Sequence, residues 1–160
     1  MRQRKVINIV AIVLLVGFAY AAVQNSPVLS DEKNSYLGGL VWTNSLEEGL
    51  AASQEQNKPV LVYFWAVWCQ YCEKFETQTL PDERVKQKLN NDFILVAIDL
   101  DENKEVPREY GVSYPPHELF LDENGNVITR IPGYANADRF YSVLTEVSDN
   151  YKKPAHGAEQ

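Results

Sequence analysis

Basic residues are the minority here: 15 lysines and arginines stand against 22 acidic residues in 160, a formal net charge of −7. A nucleic-acid binder needs a basic face, so DNA and RNA are excluded as partners. No Gly-rich dinucleotide fingerprint or phosphate loop occurs, so no NAD, flavin or nucleotide is implied. Internal repeats and low-complexity tracts are missing as well. Cysteine and histidine are scarce, two of each. A structural zinc takes four ligands, and beyond Cys69 and Cys72 the chain offers only His117 and His156 as nitrogen ligands. What is plentiful is apolar surface: 45% hydrophobic residues, with three Trp, nine Tyr and six Phe. That argues for a packed globule and against disorder. The length suits one domain plus a leader.

The leader differs from all that follows. Arg2, Arg4 and Lys5 precede an uncharged stretch from Val6 to Val23, broken only by Asn8. A spanning helix needs roughly 17 to 25 apolar residues, and a signal core roughly 7 to 15. The run favours a retained anchor by length, while Ala19-Tyr20-Ala21 offers a signal-cleavage site. In either reading the basic residues stay on the cytoplasmic side and the chain from about Gln24 lies outside the membrane, on its outer face or in the periplasm. Disulfides persist there. The expected division is a signal anchor or signal peptide over 1–23, a polar linker over 24–38, a folded domain over 39–150 and a polar tail over 151–160.

Within the domain, Leu40-Val41-Trp42 reads as a short edge strand. Ser45-Leu46-Glu47-Glu48 has the capping-box pattern and starts a helix that ends near Asn57. Val60 to Ala66 and Phe93 to Ile98 are continuously apolar runs too short for free-standing helices, so both read as strands covered on two faces. A helix from about Gln70 to Thr79 links them in a βαβ crossover, with a second segment from Asp82 to Asn90. Asn103 to Tyr110 is weakly helical. Glu118 to Leu121 and Val127 to Ile131 flank an Asn-Gly turn, the mark of an antiparallel hairpin. Last, Asn136 caps a helix whose Phe140, Val143, Leu144 and Val147 form one stripe. The order β-α-β-α-β-α-β-β-α predicts an α/β fold, a mixed sheet with helices on both faces.

Trp68-Cys69-Gln70-Tyr71-Cys72 follows the central strand and opens the next helix, the context in which C-x-x-C is informative. A sulfur at a helix start faces unpaired backbone N–H groups and the positive end of the dipole, both of which favour thiolate over thiol. Such cysteines ionise at roughly 3.5 to 7.5, against about 8.5 for a free thiol. Cys69 is therefore the expected nucleophile, and Cys72, one turn in, the more buried partner. Cys69 thiolate attacks a partner disulfide, and Cys72 then attacks Cys69 and releases the reduced partner. The competing readings are a zinc half-site, short of ligands, and an inert bridge, which would close too small a loop to restrain much chain.

The run Lys58 to Cys69, KPVLVYFWAVWC, with Gly111-Val112 ahead of Pro116, resembles the thioredoxin superfamily. The nearer likeness is to the C-terminal extracytoplasmic thioredoxin-like domain of the transmembrane thiol:disulfide interchange proteins. Cys72-Glu73-Lys74-Phe75-Glu76 and Thr79-Leu80-Pro81-Asp82 carry that likeness, which covers about Leu40 to Val147. The resemblance implies the thioredoxin fold, Cys69 as attacking thiol and Pro116 as a cis-proline facing the site. It also implies protein disulfide reduction with no cofactor beyond a redox-active Cys69–Cys72 pair. The implied partners are extracytoplasmic proteins with disulfides or dithiols, and a membrane electron donor. A dithiol oxidase of the same fold and a non-catalytic binding module remain the alternatives.

The chain departs from the family at three places. Pro115 precedes the cis-proline and has no N–H to pair with substrate, though its C=O stays available. His117 replaces the usual Thr, and its charge would tune the thiolate if the imidazole were protonated. Tyr63 stands where thioredoxin has a buried acid, and Glu76, four residues after Cys72 on the same helix face, reads either as a substitute base that passes protons to that thiol or as a solvated helix glutamate. Trp68 and Tyr71 flank the thiols as candidate contact residues, Trp65 and Phe64 read as core, and Asp99, Asp101, Glu102 and Glu105 as a solvated edge.

Overall fold

The run Val60-Leu61-Val62-Tyr63-Phe64 forms the buried heart of a six-stranded sheet, each of these residues having no exposed surface. A strand with no polar face must be covered on both sides, and helices from two parts of the chain do this. The computed structural model describes residues 34–152. The expected leader over 1–23, the linker as far as residue 33 and the tail from residue 153 lie outside the described residues. Among the described residues no helix is long and apolar enough to cross a membrane.

The strands are β1 (Asn34–Leu37), β2 (Leu40–Thr43), β3 (Val60–Trp65), β4 (Ile94–Asp99), β5 (His117–Leu121) and β6 (Val127–Pro132). The helices are α1 (Leu46–Gln56), α2 (Gln70–Gln78), α3 (Glu83–Asp92), α4 (Glu105–Glu109) and α5 (Ala137–Lys152). In space the strands run β1-β2-β4-β3-β5-β6. β3 is parallel to β4 and antiparallel to β5, and β6 closes the far edge against β5. This is the mixed sheet expected from the element order.

Period-two alternation divides β3 between two cores. Leu61 and Tyr63 face a layer built with Cys72 and Phe75 of α2, Val85 and Leu89 of α3, and Phe140, Leu144 and Val147 of α5. Val60, Val62 and Phe64 face the opposite layer, which Leu46 and Leu50 of α1 and Val106 of α4 complete. Ser45 caps α1 by accepting from the Glu48 amide, as the capping box predicts. Asp82 caps α3, accepting from the amides of Arg84 and Val85. Asn136 accepts from the Arg139 amide at the start of α5.

Two expectations need correction. Residues 34–37, assigned to the linker, form edge strand β1, paired with β2 from Asn34↔Thr43 to Leu37↔Leu40. Gly38 and Gly39, with φ of +59° and +75°, make the tight reversal that lets these residues pair. Residues 151 and 152 belong to α5 rather than to the tail, and the Tyr151 hydroxyl donates to Glu123. The acidic edge is exposed at Asp101, Glu102 and Glu105 as expected, and there Asp101 accepts from the Trp68 indole.

Candidate active site

Cys69 is the N-cap of α2, and its extended backbone turns the chain out of β3 into the helix. The Cys69 amide donates to Ala66 O at 3.1 Å, folding the Val67-Trp68 corner. Its Sγ accepts from the Cys72 amide at 3.0 Å, one of the orphan donors of a helix start. When the pair is reduced, that donor and the helix dipole favour negative charge on Cys69. The two cysteines are joined by a disulfide. Cys69 is 8% exposed and Cys72 1% exposed, so the outer sulfur is the one a partner can reach.

The rim is apolar and open. Val67, Trp68, Tyr71 and Tyr114 are all more than half exposed. Trp68 and Tyr71, the expected contact residues, are thus open to solvent, and large exposed aromatics are the anchors that protein contacts favour. Trp68 is held by its Nε1–H, which donates to Asp101 Oδ2 at 2.7 Å. A cleft of about 390 Å³ beside it is lined by Trp68, Asp101, Lys104, Arg108, Val112 and Ser113 among others. Tyr71 lies 6.4 Å from the Tyr134 ring, over which Lys74 Nζ sits at 4.5 Å.

The second wall comes from β5. His117 pairs with Phe64, so Pro116 lies level with the end of β3, where the chain turns toward Cys69. The Pro115–Pro116 peptide is cis. Pro116 is buried and its carbonyl accepts from the Gly133 amide at 2.9 Å. Two residues on, Ala135 O accepts from the Thr79 hydroxyl at the end of α2. The loop between β6 and α5 therefore ties the cis-proline to the cysteine helix. Pro115 is half-buried at this edge, and as a proline it has a carbonyl but no N–H to offer a hydrogen bond.

Below the cysteines, the Tyr63 hydroxyl donates to Glu76 Oε1 at 2.9 Å, so the departure from the family pattern meets the candidate substitute for the missing acid. Burial raises the Glu76 pKa, against the lowering effect of the Tyr63 hydrogen bond; Glu73 adds to the rise. Burial likewise pushes the Tyr63 phenol far above its ordinary range, helped by Glu76 and Glu118. The charge expected of His117 is disfavoured by its surroundings. The side chain is buried on the other face of the sheet, edge-on to Phe64, and burial together with Arg130 lowers its pKa and favours the neutral ring.

Sequence reasoning missed Asp101, Tyr134 and Glu118. Asp101 and Tyr134 reach the site only through loops, which leave no periodic trace. Glu118 did leave one, a single acid between Pro116 and the apolar run Leu119-Phe120-Leu121.

Residues 46–148 match the family described as thioredoxin-like domain. The chain belongs to the thioredoxin-like family. It is 30% identical over 154 residues to the thiol:disulfide interchange protein DsbD of Actinobacillus pleuropneumoniae, matching 86% of this chain and 26% of that protein. The chain thus spans about a quarter of that relative's length. Among solved structures, a thioredoxin from Thermus thermophilus is 26% identical with a TM-score of 0.61, covering 72% of this chain and 95% of that one. The oxidised C-terminal domain of Neisseria meningitidis DsbD is 26% identical with a TM-score of 0.54, covering 62% and 90%. In this thioredoxin-like chain the Cys69–Cys72 disulfide sits at the start of the helix after the central strand, a geometry suited to thiol-disulfide exchange. Among the described residues no His, Cys, Asp and Glu cluster suits a metal ion.

Proposed function

We propose that this chain is an extracytoplasmic disulfide reductase that takes electrons from a membrane donor and passes them to disulfides in exported proteins. The unequal exposure of Cys69 and Cys72 carries the reading, because it assigns the outer sulfur to the partner and the inner one to resolution. Reduced Cys69 attacks a partner disulfide, forming a mixed disulfide and expelling one partner thiolate. Cys72 then attacks Cys69 Sγ, closing the Cys69–Cys72 bond and releasing the second partner thiolate. Two electrons move to the partner and the chain is left oxidised. Partners dock on Val67, Trp68, Tyr71 and Tyr114, and pair through the Pro115 carbonyl beside the cis-proline. The likeness to DsbD and the apolar leader over 1–23 support the outward location and the tether. Cys69, Cys72, Glu76 and Pro116 form the catalytic set, and residues 39–150 the working domain.

Equilibration with glutathione tests the direction. A reducing potential is expected, and a value near that of strong oxidants, roughly −120 mV, would reverse it. Insulin-reduction turnover tests the activity itself; its absence, with no trapped adducts, would reduce the chain to a binding module.

A further inference from the structure

Opening the Cys69–Cys72 bond puts an electron pair on a sulfur that is 1% exposed. A buried thiolate is costly, so Cys72 needs a proton inside the fold. Three acids sit on the same side of the sheet. Tyr63 already donates its proton to Glu76, and its burial makes that proton harder to lose than a thiol's. Glu76 is half-buried and its carboxylate accepts that bond.

The third acid is Glu118. It stands on β5 two residues beyond Pro116, and its Cα pairs with that of Tyr63. Residues paired across antiparallel strands project from the same face, and so do residues two apart on one strand. Tyr63 and Phe120, its neighbours by those two rules, both pack in the core layer that contains Cys72 and Phe75. Glu118 has no exposed surface, and neither carboxyl oxygen has a hydrogen-bond partner among the described residues. A buried polar group without partners destabilises a fold, and such a group calls for an explanation. Burial raises its pKa well above the ordinary carboxyl value, opposed by its own amide and the Arg139 guanidinium.

We propose that Glu118 is a second internal acid of the redox site beside Glu76, supplying the proton that neutralises Cys72 when the disulfide opens and recovering it when Cys72 attacks. A donor thiolate attacks Cys69 Sγ; the donor–Cys69 bond forms, the Cys69–Cys72 bond breaks, and the proton moves from the Glu118 carboxyl to Cys72. The donor's second thiolate then attacks its own sulfur in the mixed disulfide and releases Cys69 as a thiolate. Two negative charges enter on the donor and two remain, on Cys69 and Glu118. In the reverse direction Cys72 returns its proton to Glu118 as it attacks. The groups facing this exchange are Tyr63 from β3, Cys72 and Glu76 from α2, and Arg139 from α5.

This inference rests on the dithiol chemistry proposed above, and Glu118→Gln in the full chain separates the two. The amide keeps the shape and removes the proton. Wild-type exchange should persist, while Glu118→Gln resolves mixed disulfides at least about tenfold more slowly at neutral pH and loses a pH-dependent limb, in line with the usual range for acid–base catalysis. In wild type, reduced-minus-oxidised infrared difference spectra should show loss of a protonated carboxyl stretch that Glu118→Gln lacks and Glu76→Gln retains. An unchanged rate and pH profile in Glu118→Gln, or no carboxyl change on reduction of wild type, overturns the proposal. Absence of exchange in wild type overturns the underlying function as well. The infrared measurement on wild type decides the matter even if the variant does not fold.

Discussion

The Tyr63 hydroxyl donates to the Glu76 carboxylate across 2.9 Å, joining the central strand to the cysteine helix one turn below Cys72. Because the bond favours the charged carboxylate, it holds down a pKa that burial raises. Tyr63→Phe should therefore raise the Glu76 pKa further, read from its side-chain carboxyl carbon by NMR; a fall would contradict this. Glu76→Gln should slow resolution of a mixed disulfide by Cys72 at neutral pH in stopped-flow. The linkage sign follows from the raised folded value. Glu76 adds stability below its unfolded pKa and loses that contribution as pH rises through the folded one, a dependence Glu76→Gln should remove from the melting curve.

The unequal exposure of the two cysteines predicts unequal variants. Cys72→Ser should accumulate mixed disulfides with partner proteins on Cys69, visible as adducts by mass spectrometry, whereas Cys69→Ser should trap none. In the Cys72→Ser protein, absorbance titration of the remaining thiol should give a pKa below the roughly 8.5 of free cysteine. Ionisation no easier than that would remove the basis of the chemistry.

Asp101 orients Trp68 from a neighbouring loop. The pair is exposed, so Asp101→Ala should change stability by less than about 1 kcal/mol. It should alter Trp68 fluorescence and raise KM for a protein disulfide several-fold, leaving the Cys69 titration in place. An equal loss of kcat with an unchanged KM would argue against a docking role.

A Cβ at Gly49 would lie 2.4 Å from Val96 Cγ2, where α1 packs on β4. Gly49→Ala should then cost about 1–3 kcal/mol by overpacking, despite the better helix propensity of alanine. Urea unfolding measures it, and a stabilised variant would show that the layer yields.

His117 is buried among Phe64 and Tyr114, and burial first, then Arg130, lowers its pKa. In the fold burial favours the neutral ring. Its contribution is fully present above the ordinary histidine pKa and lost as pH falls through the folded value. His117→Phe should flatten the decline in melting temperature on mild acidification; an identical decline would mean the ring is solvated and charged.

The residues alone determined the elements and the reactive pair, because both rest on local rules. Apolar runs in Val60–Trp65 and Ile94–Asp99 have few ways to be buried, Ser45 and Asn136 mark helix starts, and C-x-x-C after a central strand places a sulfur at a helix N-terminus. Strand β1 escaped because its polar residues carry no alternation, and only pairing with β2 across Gly38-Gly39 makes them a strand. Contacts across the sheet were decided by tertiary structure. The register that sets Glu118 opposite Tyr63, the bond from Tyr63 to Glu76, and the Gly133 amide and Ala135 carbonyl that tie Pro116 to Thr79 join residues 13 to 56 positions apart. Such pairs follow from strand order and layer packing, which no window of neighbouring residues encodes.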